Sequence, residues 1–260
     1  MDCSRPPTPD PAFTLVIPSD HCREDADVET ASDGYAARFE GDIGRWFLER
    51  QARDTLQLLG HLAPGASILD VGGGHAQLAP ALLGAGYSIT VTGSHPSSGA
   101  RLSRWVESGQ CRFEVADFHA LPHRDRSFAA VLCFRLLSHS VQWTSLIREL
   151  CRVAQDSVIV EYPSIRSVNV VSDQFFGLKR RIEGNTRPYT VFSPGEIRRA
   201  FEQHRFQIVA QHPQFLFPMV LHRWAGARTL SRLLEAPGRL LGLTRWLGSP
   251  IIARADRRNS

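Results

Sequence analysis

Between residues 66 and 162 short apolar runs alternate with stretches of helical periodicity. The pattern predicts strands at 66–71, 87–92, 111–115, 128–134 and 157–162, with helices at 75–84, 98–108 and 141–153. Strand-helix alternation of this kind predicts an α/β domain whose parallel sheet is covered on both faces. Upstream, Ile43, Trp46, Phe47, Leu56 and Leu59 form an apolar stripe over a predicted helix at 42–62, which Pro64-Gly65 breaks. Downstream, Ser193-Pro194-Gly195-Glu196 has capping-box spacing with Pro in the first turn, predicting a helix to about residue 204. Two further strands are expected at 206–211 and 214–220, turning at His212-Pro213 and pairing antiparallel.

The remaining segments divide the chain. Residues 1–33 are rich in Pro, Asp, Ser and Thr and are expected to be loosely ordered. The domain proper is expected over 34–220, with 163–190 breaking the alternation. Residues 221–260 read as a basic amphipathic extension, holding eight arginines against two acids although the whole 260-residue chain is only +4. An apolar fraction of 43% supports a true core and excludes a disordered chain. Cys3, Cys22, Cys111, Cys133 and Cys151 form no C-x-x-C pair and no zinc-ligand spacing, so no metal is expected. With no secretory leader and no apolar run of 18 residues, a cytoplasmic protein is expected.

The densest chemistry lies at Ile68-Leu69-Asp70-Val71-Gly72-Gly73-Gly74-His75-Ala76-Gln77-Leu78. A strand, a glycine turn and a following helix offer a ligand bare backbone and unpaired N–H groups. A dinucleotide fingerprint is disfavoured: its last glycine falls on Gln77, and no acid stands about 20 residues on.

Asp70-x-Gly72-x-Gly74 resembles motif I of the class I S-adenosylmethionine (SAM) dependent methyltransferases, with Ala76 in place of the third glycine. From about Tyr35 to Val220 the chain resembles the methyltransferase type 11 group, which includes ubiquinone and menaquinone methyltransferases. Val91-Thr92-Gly93-Ser94-His95-Pro96-Ser97 aligns with V-x-G-V-D-x-S, so His95 stands where the ribose-binding acid belongs. Phe113 to Phe118 ends a strand on Asp117, the family's adenine contact. Leu121-Pro122 and Asp125-Arg126-Ser127-Phe128 match L-P-x-x-D-x-S-F-D-x-V, with Ala129 for the second acid. Leu146 to Val153 resembles the R-E-x-x-R-V helix, without the K-P-G-G turn after it.

The resemblance implies a Rossmann-like, seven-stranded mixed sheet with its last strand antiparallel, an N-terminal helix and a C-terminal helical extension. It implies a SAM cofactor held by Asp70, Val71, Gly72, Gly73, Gly74, His75, Gln77 and Leu78 at the turn. Ser94 and His95 would flank the ribose, Asp117 and Phe118 the adenine, Arg38 would pair with the SAM carboxylate, and Phe134, Arg135 and Leu136 would lie in the segment that lines the cofactor and acceptor sites. The reaction implied is in-line methyl transfer to a small-molecule acceptor.

His139, after the fourth strand, is the candidate base, with a packing or helix-capping role as the alternative. Residues 163–190 are the expected acceptor lid. Phe175, Phe176 and Tyr189 point to an apolar or aromatic acceptor; Arg180, Arg181 and Arg187 point to an anionic one. The basic leucine-rich tail is expected to pack on the domain, with an anionic membrane surface as the alternative; it carries no nucleic-acid motif. A non-catalytic binding protein on the same fold is the competing function, motivated by His95, Ala76 and Ala129.

Overall fold

A computed structural model describes residues 13–15, 24–167 and 189–258. Its eight strands are β1 Phe13–Leu15, β2 Ser67–Val71, β3 Ser88–Gly93, β4 Cys111–Val115, β5 Phe128–Cys133, β6 Ala154–Tyr162, β7 Phe206–Phe215 and β8 Ser249–Arg257. They form one sheet in the order β1-β4-β3-β2-β5-β6-β8-β7. The seven strands from β4 to β7 make the mixed sheet expected from the sequence, and three-residue β1 adds to its β4 edge. All pairs from β1 to β6 are parallel, and β8 runs antiparallel to both neighbours.

The helices among the described residues are α1 Ala26–Thr30, α2 Asp33–Ala36, α3 Gly41–Leu59, α4 Ala79–Gly84, α5 Ser103–Glu107, α6 Trp143–Val153, α7 Pro194–Glu202, α8 Met219–Ala225, α9 Arg228–Leu240 and α10 Leu243–Leu247. None is long and apolar enough to cross a membrane.

The two-residue period of the strands divides the core between the faces. Leu69, Val71, Val131, Cys133, Val158 and Val160 pack with Leu146, Ile147 and Leu150 of α6 and Phe201 of α7. Ile68, Ala130, Leu132 and Ile159 face the other way, onto Leu58, Leu59 and Leu82 of α3 and α4. Central parallel strands buried on both sides account for the nearly unbroken apolar runs read in the sequence. The capping box forms as written: the Glu196 amide donates to Ser193 Oγ at 3.2 Å and the Ser193 amide to Glu196 Oε2 at 2.8 Å.

Three expectations are corrected. Phe206–Phe215 is a single strand rather than two joined by a turn at His212-Pro213. It lies on the sheet edge, where proline's missing N–H is tolerated. Its antiparallel partner comes from 249–257, inside the segment expected to be an appended extension, so the end of the chain is an interior strand of the domain. The helix after the glycine turn does not start at His75. Ala76 takes a left-handed φ of 58°, and α4 begins only at Ala79, with Pro80 in its first turn.

The helices between β7 and β8 pack with their polar side inward. Glu235 is fully buried and accepts hydrogen bonds from the Leu216 and Phe217 amides and from His222 Nε2 at 3.0–3.1 Å. Burial alone would raise its carboxyl pKa; these donors hold it below the usual value. Gly238 lets α9 approach closely, since a Cβ there would stand 2.4 Å from Leu216 Cδ2.

Deleting 249–258 exposes the facing edges of β6 and β7 and removes Ile251, Ile252, Ala253 and Ala255 from the core. The truncated chain is expected to lose its cooperative thermal transition, as read by circular dichroism. A transition preserved within a few degrees would mean that the segment is dispensable.

Candidate functional site

Strand order reverses between β2 and β5, where chains leave the sheet on opposite faces and open a crevice at the carboxyl ends. Val71 pairs with Cys133, so the turn at 72–75 and the turn at 134–136 stand side by side above one point of the sheet. Both contain left-handed backbone: φ is 75° at Gly72 and 57° at Arg135.

The glycines at this turn answer to packing. A Cβ on Gly73 would lie 2.1 Å from Asp70 Oδ2, one on Gly74 2.1 Å from the Ser98 carbonyl oxygen, and one on Gly72 2.9 Å from Leu136 Cδ2. The bare backbone expected to face a ligand therefore meets Asp70, Ser98 and Leu136 of the same chain. Ala76, where the family carries a third glycine, keeps the left-handed conformation that glycine would adopt without penalty.

Beneath the turn lies a set of buried polar atoms without hydrogen-bond partners among the described residues: Asp70 Oδ1, His75 Nε2, Gln77 Oε1 and Ser98 Oγ. Burial pushes the Asp70 carboxyl from its ordinary 3.8 up to about 7. Burial, with Arg135 and Arg101 adding to it, drives His75 down to about 3, so its ring is neutral and its Nδ1 accepts from the Gln77 amide. A buried carboxyl next to unpaired acceptors and donors is costly unless a ligand supplies the missing bonds.

The end of β3 carries an acid that the sequence reading missed. Asp27 of α1 is buried and accepts from the Ser94 amide at 2.9 Å and from the Ser94 hydroxyl. His95 is exposed, and its Nδ1 accepts from the Ser97 amide at 3.2 Å, capping the 3-10 turn at 96–102. The carboxylate lacking at position 95 is thus present one residue away, on a helix 67 positions upstream. No local pattern announces it.

Asp117 is half-buried at the end of β4 and accepts from the His119 amide at 2.8 Å. Val71, Leu78, Phe118, Phe134 and Leu136 are buried core residues. Arg38 is exposed, 3.8 Å from Glu29, with its guanidinium 5.0 Å from the Tyr35 ring centre.

Across the crevice, Arg135 donates to Tyr35 Oη at 3.1 Å and to Gln51 Oε1 at 3.3 Å, and its guanidinium lies 4.3 Å from the Phe39 ring centre. Gln51 Nε2 donates onward to Glu161 Oε1 at 2.9 Å. Burial works against the Arg135 charge, and Tyr35 and Glu161 outweigh it. Two adjoining cavities of about 220 and 130 Å³ share Arg135, Glu161, Met219 and Ser249. The larger is also lined by Tyr35, His139, Tyr162 and Tyr189, with the His139 and Tyr189 rings 5.6 Å apart. His139 and Tyr189 therefore line one cavity with Arg135. Phe175, Phe176, Arg180, Arg181 and Arg187 lie outside the described residues.

Gln51 and Glu161 were also missed, although signals existed. Gln51, Asp54 and Thr55 are polar residues on the buried face of α3, and Glu161 is an acid at the carboxyl end of an apolar strand.

The sequence from 68 to 157 matches a family model described as a methyltransferase domain. No curated protein sequence matches the chain. Among solved structures it is similar to magnesium protoporphyrin IX methyltransferase from Synechocystis PCC 6803 with bound SAH, at 16% identity and a TM-score of 0.62 over 90% of this chain and 98% of that one. It is also similar to a Haloferax volcanii protein solved with a methyltransferase activator, at 17% identity and a TM-score of 0.62 over 91% and 99%. The cyclase SpnF has the same fold at 16% identity and a TM-score of 0.55 over 80% and 81%. Residues 68–157 thus resemble a methyltransferase domain, and the chain carries them in a Rossmann-like methyltransferase fold.

Proposed function

We propose that this protein transfers a methyl group from SAM to a small-molecule acceptor held beside Arg135 and His139. One observation supports the reading: the stretch that matches a methyltransferase domain contains Asp70, Ser94, Asp117 and Arg135, which stand at or just past the carboxyl ends of the neighbouring strands β2, β3, β4 and β5. The unpartnered atoms under the turn and the Asp27–Ser94 pair fit a ligand with several polar groups.

When bound, SAM supplies a methyl group already activated on a sulfonium leaving group. The chain's own residues then bind, orient and deprotonate. Asp27, with two of its four acceptor positions used by Ser94, keeps two for ribose hydroxyls. Asp117 accepts from an adenine edge, and Asp70 offers negative charge to a cationic ligand once ionised. In the acceptor cavity Arg135, steadied by Tyr35 and Gln51, orients a polar or anionic group. His139 takes the acceptor's proton, and the Tyr162 and Tyr189 rings present an apolar wall.

A second reading, a partner of this fold without methyl-transfer activity, is favoured by the SpnF likeness, since its fold matches while its name records a cyclase. Turnover separates the two. Purified protein incubated with SAM and a cell extract is expected to release S-adenosylhomocysteine; SAM binding without release supports the second reading.

In calorimetry, Asp27→Ala is expected to weaken SAM binding about tenfold or more, the worth of charged hydrogen bonds. Asp27→Asn should fall between, at unchanged melting temperature. Equal affinity in all three proteins would remove Asp27 from the site.

Asp70 supplies a pH test. Its folded pKa of about 7 lies above the unfolded 3.8, so between these values the native state holds a proton that the unfolded chain has lost. That group's effect is to lower stability as pH rises from about 4 to 7. Asp70→Asn is expected to raise the melting temperature at pH 8 and leave it unchanged near pH 3.5. The same ionisation makes SAM affinity rise with pH through about 7 in the native protein and stay flat in Asp70→Asn.

A further inference from the structure

Helices α8, α9 and α10 are turned inside out relative to an ordinary surface helix. Their inward positions are His222, Ser231, Glu235, Gly238 and Thr244, all buried. Their outward positions are apolar: Leu240 is 87% exposed, Trp224 85%, Leu241 74%, Trp246 68% and Leu233 64%. The inward polarity is explained locally, because Glu235 must reach the Leu216 and Phe217 amides at the exit of β7. That fixes the rotation of α9 and leaves its leucines pointing away from the core. The sequence expectation that these leucines cover the domain's own core is thereby corrected. Two tryptophans and a run of leucines held in water on three consecutive helices require a partner.

The charge around this face identifies the partner. Residues 219–247 contain five arginines and one acid, and that acid, Glu235, is buried in hydrogen bonds to His222 and the backbone. The water-facing charge of the layer is therefore entirely positive. Beside Trp246 opens a cavity of about 500 Å³ lined by Arg166, Arg198 and Arg245, none of which has a carboxylate partner among the described residues. Leucines and tryptophans flanked by arginines, next to a seat for an anionic group, match an anionic bilayer: acyl chains for the side chains, lipid phosphates for the guanidinium groups. A second copy of the chain would bring like charges face to face.

We propose that α8–α10 form a docking face for an anionic membrane surface, with lipid phosphate taken up by Arg166, Arg198 and Arg245. Met219, the first residue of α8, lines both cavities beside Arg135, so docking sets the mouth of the acceptor site against the bilayer. The docking itself does not depend on the methyltransferase reading.

The test is co-sedimentation of the full chain with vesicles. The protein is expected to pellet with vesicles of phosphatidylcholine and phosphatidylglycerol but not with phosphatidylcholine alone. Raising the salt from about 0.1 M to about 1 M should release part of it. Trp224→Ser combined with Leu240→Ser and Leu241→Ser replaces exposed side chains only; binding should fall at least tenfold with the melting temperature unchanged. Arg198→Glu with Arg245→Glu should lose the preference for phosphatidylglycerol. Light scattering gives the competing outcome: a dimer that the triple substitution splits, with no protein in the vesicle pellet, assigns the face to self-association and overturns the proposal. Absence of pelleting with anionic vesicles for a monomeric chain also overturns it.

Discussion

The constraint on which the structure turns is the side-by-side exit of β2 and β5. Parallel strands at a reversal of order send their following segments to opposite faces, and a gap opens between them at the carboxyl ends. At that gap the chain places two left-handed turns, one closing over Asp70 and one swinging Arg135 inward. A carboxyl whose proton burial retains up to about pH 7 and a guanidinium whose charge its neighbours favour then stand on the two sides of one crevice. Neither environment arises from its own few neighbours in sequence; both come from burial that the sheet imposes.

The alternating strands and helices from 66 to 162 were legible because hydrophobic period is a local property, and the capping box at Ser193 because its partners lie three residues apart. What sequence could not reveal depends on distance along the chain. Asp27 reaches Ser94 across 67 positions, and Gln51 reaches Glu161 across 110. The last strand differs from expectation for a related reason: 214–220 is the more apolar segment, with Phe215, Leu216, Phe217, Met219 and Val220, and only the tertiary demand for a partner between β6 and β7 chooses 249–257 instead. His95 shows the reverse case, a residue placed by alignment whose side chain serves the adjoining turn.

The amphipathic segment after β7 teaches a narrower lesson. Periodicity identified its helices, but amphipathicity does not say which side faces in. One buried carboxylate, set to satisfy two backbone amides, outweighs the tendency of leucines to turn inward, because an unsatisfied amide pair at the end of a strand costs more than a few exposed methyl groups. Polarity inside and oil outside then becomes a stable arrangement, provided something apolar meets the outer side.

The position of β8 has a consequence for biosynthesis. The strand that lies between β6 and β7 follows both of them in the chain, and α8, α9 and α10 as well, so it leaves the ribosome after all of these. Until it emerges from the exit tunnel, half of the sheet has no seam, and β7 together with the three leucine-bearing helices waits as a tethered, unfinished flap. Closure of the sheet is therefore a late event, in which a younger stretch of polypeptide is threaded between two older ones.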